Sequence, residues 1–233
     1  MGQKVHPVGF RLGITTNHSS QWFAKVRKSN QYSHFLAEDI FIREFLFREA
    51  PSLHHVIIQR KNTALFLHLE AGQPNEIIPQ LEIIKTKLQA ELFSQSQQIS
   101  FRTFNRFPTA DSDNLNNSVR SARTPYAIFC TISRANETAA QSIAFFIKSE
   151  LEKRLPFRRA MKKSLRLAKA KGVKGMKIQI SGRLNGAEIA RREWERFGAV
   201  SLQSLRSKID YTECVAHTIY GVLGIKVWVQ YDS

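Results

Sequence analysis

Between Lys153 and Ala187 the chain carries twelve Lys and Arg residues and no Asp or Glu, which restricts that run to a one-sided surface element. Pro156 suits the start of a helix, where no backbone donor is needed, and Gly172 suits its end. The intervening FRRAMKKSLRLAKAKG is read as one helix. At about 100° per residue, Phe157, Met161, Leu165 and Ala168 share one side, while Arg158, Arg159, Lys162, Lys163, Arg166 and Lys169 share the other. The apolar stripe pins the helix and the basic stripe faces outward. Ordinary solvated helix faces mix signs, so that acid and base support each other at four-residue spacing. Here every neighbour repels, and an external polyanion is the better reading.

The whole chain agrees. With 35 Lys and Arg against 19 Asp and Glu, its net charge is +16, which suits nucleic acid or an anionic membrane surface. Membrane is disfavoured: no apolar run approaches the roughly 18 residues of a spanning helix, and the basic helix lacks a broad Trp/Phe/Leu face. The N-terminal MGQKVHPVGF lacks the apolar core of a signal peptide, so the protein is expected to act in the compartment where it is made. Cys130 and Cys214 lie far apart with no metal spacing, which favours two buried apolar residues over a disulfide or zinc site. A length of 233 residues with 42% apolar content supports two small domains.

Residues 1–30 read as a basic arm in which Pro7, Gly9 and Gly13 discourage regular structure. From Tyr32 to Glu49, Phe35, Leu36, Ile40, Ile42, Arg43, Phe45 and Phe47 give helical spacing with a wide apolar face, ended by Pro51. His55 to Arg60 and Thr63 to Glu70, separated by Lys61 and Asn62, predict a hairpin from the alternation of Leu65, Leu67 and Leu69. Asn75 to Phe93 predicts one helix through Ile77, Leu81, Ile84, Leu88 and Leu92, followed by a strand at Ile99 to Thr103. The polar stretch over 105–125 reads as an insertion or linker. After it come a strand (Tyr126 to Ser133), a helix (Asn136 to Arg154), the basic helix, a strand (Gly175 to Ser181), a short helix (Ala187 to Phe197) and extended segments at Lys208 to Thr218 and Gly224 to Tyr231. This is an α+β chain with domains at 31–104 and 126–233.

Enzyme signatures are weak. No H-E-x-x-H, G-x-S-x-G or Walker sequence occurs, and Glu188, Glu193 and Glu195 alternate with Arg191, Arg192 and Arg196 at a spacing that suits ion pairing. Catalysis, a cofactor and a metal site are not expected. Gly172, Val173, Lys174 and Gly175 spell the G-x-x-G with which KH domains clamp nucleotide backbones. Because this pair leads from a helix into a strand, Gly172 is better read as a helix C-terminal glycine.

Several strings together, MGQKVHPVGFRLGI, WFAK, FRRAMKKS, GMKIQISGRLNGAEIAR, LRSKID and AHTIYGVLGIKVWV, resemble the third protein of the bacterial-type small ribosomal subunit. The likeness is strong over residues 1–25 and 150–230 and faint between. It implies a type II KH domain before a C-terminal α/β domain, in the head of the small subunit. Carried over residue by residue, it assigns Arg158, Arg159 and Lys162 to the messenger entrance, where they help open structured messenger. It implies rRNA contacts by Lys4, His6 and Arg11 of the arm, with Gly2 also matching, and by Arg183, Arg191 and Arg192. Lys163, Arg166, Lys169 and Lys174 join them as rRNA-binding candidates of the basic region.

The departure lies in the first domain, where Glu70 to Pro74 lead directly into a helix, so the KH-like domain (α-β-β-α-β) lacks the G-x-x-G loop. The expected partners are small-subunit rRNA, mRNA and neighbouring head proteins, with no membrane and no homo-oligomer. A stand-alone RNA chaperone or repair factor is the alternative, which co-sedimentation with small subunits distinguishes. The shortened loop, the polar insertion and the 16 Phe favour a plastid-encoded chain over one of the bacterial cytoplasm.

Overall fold

The computed structural model describes residues 5–24, 31–61, 64–92, 127–136 and 138–231. The expected strand at Ile99 to Thr103, the 105–125 insertion, Gly2 and Lys4 lie outside the described residues. The chain divides into two compact units, one spanning 19–134 and the other joining the N-terminal residues through 18 to everything from 135 onward. Among the described residues each holds a four-stranded sheet. The basic arm expected over 1–30 is therefore shared between two units; its helix α1 (Pro7–Arg11) belongs to the second.

The first unit contains β1 (Ser20–Gln21), α2 (Gln31–Glu49), β2 (Leu53–Lys61), β3 (Ala64–Ala71), α3 (Pro74–Ile77), α4 over residues 81–92, and β4 (Ala127–Arg134). The expected hairpin forms: β2 and β3 run antiparallel with Lys61 opposite Ala64. Strict alternation buries Leu65, Leu67, Leu69 and Ala71 beside Val56 and Ile58, each large side chain contributing about 1.5–3 kcal/mol by leaving water. Ile42, Phe45 and Leu46 of α2, with Ile84 and Leu88 of α4, complete this core. The helix expected from Asn75 is interrupted by a 3₁₀ turn at Ile78–Gln80, because Pro79 has no N–H to continue the ladder.

Two expectations fail here. Leu36, Ile40 and Phe47 of α2 stay exposed, and the side packed in their place includes Glu38 and Asp39. Those carboxylates are buried against Arg60, whose Nη2 donates to Asp39 Oδ1 at 2.6 Å. Trp22 Nε1 donates to the other Asp39 oxygen at 2.7 Å. Desolvation pulls the Arg60 pKa down, but the charges of Glu38 and Asp39 outweigh it and raise the value overall. The second failure concerns β4, expected to open the C-terminal domain at 126. It pairs in parallel with β3 from Ala64↔Ala127 to Ala71↔Arg134, so the boundary falls at Ala135. Periodicity shows that a strand forms and leaves its neighbour open.

The second unit adds α5 (Ala140–Glu152), α6 (Phe157–Ala170), β5 (Gly175–Gly182), β6 (Arg191–Gly198), β7 (Ile209–Thr218) and β8 (Gly221–Gln230). Its sheet runs in the order β6-β5-β8-β7 with every neighbouring pair antiparallel. α5 packs on β7 and β8, and α6 on β5 and β6. Ile143, Ile147, Phe157 and Met161 meet Met176, Ile178, Ile180, Val227 and Val229 in the core. Asp210 Oδ2 on β7 accepts from Ala140 N at 2.8 Å and caps α5 from across the layer. Tyr231 donates its hydroxyl to Thr138 O at 3.0 Å.

The short helix expected from Ala187 to Phe197 is instead the edge strand β6. Its exposure alternates with period two, so Glu193, Glu195 and Phe197 turn partly inward while Arg192, Trp194 and Arg196 turn outward. The ion pairing inferred from helical spacing therefore does not apply. Regular structure also appears where Pro7 and Gly9 discouraged it. Pro7 occupies the first turn of α1, and His6 Nδ1 accepts from Gly9 N at 3.2 Å.

Candidate nucleic-acid interface

The interface candidate is built on α6, which forms where the sequence places it. Phe157, Ala160, Met161, Ser164 and Ala168 are buried, with Leu165 packed partly against the core. Ser164 satisfies its buried hydroxyl by donating to Ala160 O and Met161 O at 3.1 and 2.8 Å. Gly172 ends the helix at φ 74°, with Val173 N bonded back to Ala168 O at 3.3 Å, the αL closure that a glycine allows. Gly175 serves a different end: a Cβ there would lie 2.0 Å from Ala199 O. The G-x-x-G pair is thus a helix stop followed by a close strand contact, as its setting in the sequence suggests.

Arg158, Arg159, Lys162, Lys163, Arg166 and Lys169 all lie on the exposed side. Two of them, Arg158 and Arg159, stand in the first turn with no acidic residue beside them. The positive end of a helix disfavours cations there, by about 0.3–1 kcal/mol each in exposed settings. Apart from the Arg158 guanidinium standing 5.7 Å from the centre of the Phe157 ring, folding gives little reason for that placement. Lys163 departs from the group: its Nζ lies 3.1 Å from the largely buried Glu150 carboxylate and 5.0 Å from the centre of the Phe146 ring.

The other candidates are scattered through the second unit. Lys174 is exposed just before β5, and Arg191 and Arg192 are exposed at the start of β6. Arg183 holds a turn: Nε donates to Ala187 O at 2.9 Å and Nη1 to Tyr220 O at 3.2 Å, with the residue still exposed. His6 caps α1 and sets its ring edge-on to Tyr211 at 4.9 Å.

Arg11 must be removed from the rRNA set. It has no exposed surface. Its guanidinium donates to the carbonyls of Pro7, Leu202, Ser204 and Ser207 at 2.8–3.0 Å and to Ser201 O at 3.2 Å. Desolvation lowers its pKa from the ordinary arginine value. An arginine consumed by backbone acceptors has nothing to offer a phosphate.

Sequence reasoning also missed the outward face of β6. Trp194 is 57% exposed on the same side as Arg192 and Arg196, and Lys177 Nζ sits 5.4 Å from its ring and 5.2 Å from that of Trp228. The alternation in RREWERFG was the available signal. Among the described residues no helix is long and apolar enough to cross a membrane, and no His, Cys, Asp and Glu cluster could hold a metal.

A basic, single-signed helix on an antiparallel sheet defines the class of α+β proteins that present a charged face on a rigid support. Residues 147–229 match the family model for ribosomal protein S3, C-terminal domain. Over 98% of its length the chain is 39% identical to small ribosomal subunit protein uS3c of Ostreococcus tauri, covering 97% of that protein. It is 41% identical to uS3c of Chlorokybus atmophyticus, covering 94%, and 39% identical to uS3 of Nostoc punctiforme, covering 80%. The chain belongs to the uS3 family of small ribosomal subunit proteins, non-enzymatic constituents of the ribosome of plastid or bacterial type.

Proposed function

We propose that this protein binds small-subunit rRNA in the subunit head and lines the mRNA entry with α6, where Arg158, Arg159 and Lys162 help open structured messenger. The observation that carries this reading is the exposed face of α6, cationic from its first turn onward and without an acid. Cations spaced about a turn apart on a rigid rod hold successive phosphates of one strand without reading bases. Arg166 and Lys169 extend the same face, Lys174, Arg183, Arg191 and Arg192 serve rRNA elsewhere on this unit, and Lys163 contributes while tethered to Glu150. His6 and Lys4 lie in the rRNA-facing N-terminal segment. The first unit is read as a KH-like domain without a clamp loop, acting as a scaffold toward rRNA or neighbouring head proteins; the direct passage from β3 through Gly72 and Gln73 into α3 supports this reading. A plastid-encoded member, present as a single copy per subunit, fits the drift in that domain.

Ribosomes carrying Arg158→Ala, Arg159→Ala and Lys162→Ala together are expected to assemble normally and to slow on messages with stable hairpins. Translation rates on matched structured and unstructured messages measure this, and equal slowing on both would refute the entry role.

A further inference from the structure

Between α6 and β6 lies a hollow of about 240 Å³, lined by Lys162, Leu165, Arg166, Lys169 and Phe197. Phe197 faces it because its strand partner is the buried Met176, which fixes the ring on the helix side of the sheet. Unlike Met176 the ring is only half-buried, since β6 is the edge strand. Lys169 Nζ stands over the ring, 5.5 Å from its centre, and it leaves the ring face to a base by swinging to a flanking phosphate. The floor is carbon from Leu165 and Phe197, and the rim is three exposed cations with no carboxylate among the lining residues.

That combination selects its occupant by charge and shape. An apolar protein side chain would fill the floor and leave three cations unmatched, whereas a free phosphate would meet the cations and leave the floor wet. A nucleotide supplies both, a flat face for the ring and phosphates for the rim. Lys162, Arg166 and Lys169 fall at i, i+4 and i+7, so they cover about 10 Å of helix, more than one phosphate interval of a strand. We propose that this hollow receives one unstacked base of a single RNA strand, laid on Phe197, while its flanking phosphates are held by Lys162, Arg166 and Lys169.

This proposal rests on the reading of α6 as a strand-binding face, and the test separates the two. The full chain is titrated with a labelled short single-stranded RNA and with an abasic ribose-phosphate oligomer of equal length. Phe197→Leu keeps apolar bulk and removes the stacking surface; it is expected to weaken RNA binding roughly tenfold, within the range of one stacked base, and to leave the abasic oligomer unchanged. Phe197→Trp is expected to restore the loss. Equal effects on both oligomers, or none on either, would overturn the base site while leaving phosphate tracking by α6 in place. Because Phe197→Leu could disturb β6, the wild-type chain is also photo-crosslinked to 4-thiouridine RNA. Adducts on the peptide carrying Phe197 support the site, and adducts confined to other peptides count against it.

Discussion

Two stretches of this protein are basic and free of acid, the N-terminal segment and α6, and their arginines meet opposite fates. Arg11 is wholly buried among five carbonyls of its own unit, whereas Arg158 and Arg159 project from a helix that would be better off electrostatically without them. Charge density is the same kind of signal in both places. What separates them is whether the backbone nearby offers unsatisfied acceptors. The loop over residues 199–208 turns several carbonyls toward one point and so captures Arg11, while the backbone of α6 spends its carbonyls on its own ladder.

The largest expected effect tests that contrast directly. Arg11→Ala should cost roughly 3–5 kcal/mol in urea unfolding, because several buried acceptors lose a charged donor at once. Arg11→Lys should recover little, since an ammonium cannot reach acceptors arrayed around a planar fork. Arg158→Ala, Arg159→Ala and Lys162→Ala should each change stability by less than about 0.5 kcal/mol. A melt in which Arg11→Ala behaves like the α6 variants would erase the distinction.

The next effect is read in RNA affinity. If about six phosphates are neutralised, log K for single-stranded RNA should fall with log salt at a slope near −4, and removing one α6 cation should reduce the slope by about 0.7. The binding should be nearly indifferent to sequence outside the position held at Phe197. A slope unchanged by Arg158→Ala or Arg166→Ala would move the interface away from α6.

The smallest effect belongs to a group that titrates. Burial, with the Asp210 charge, pushes the Tyr231 hydroxyl from 10.0 up to about 12, against a smaller opposing effect of the Thr138 side chain. The folded state holds this proton more tightly than the unfolded chain does. Its contribution is therefore fully present below about pH 10 and is lost as pH rises toward 12. Tyr231→Phe should lower stability slightly at neutral pH and flatten the alkaline decline, as urea unfolding across the alkaline range would show.

Much of the molecule was legible in the chain because the relevant physics is local. Pro156 and Gly172 bracket α6, the stripe through Phe157 and Met161 decides which side is buried, and Leu65, Leu67 and Leu69 set the face of β3. The hollow at Phe197 was not legible. Reading RREWERFG as helical placed that ring at the end of a helix, and its strand register against Met176 emerges only from pairing across the sheet.

By itself, then, the sequence determined where α6 starts and stops, which of its residues are buried, and that its cations face outward, since the helix period and the backbone demands of Pro and Gly act within a few residues. Tertiary structure decided which sheet takes β4, that Leu36 and Ile40 stay in solvent while Glu38 and Asp39 pair with Arg60, and that Arg11 is a structural residue. Each depends on a partner far away in the chain, 196 residues away for the Arg11 bond to Ser207. A side chain's composition states what bonds it can make, and only the assembled backbone states which acceptors are left to make them with.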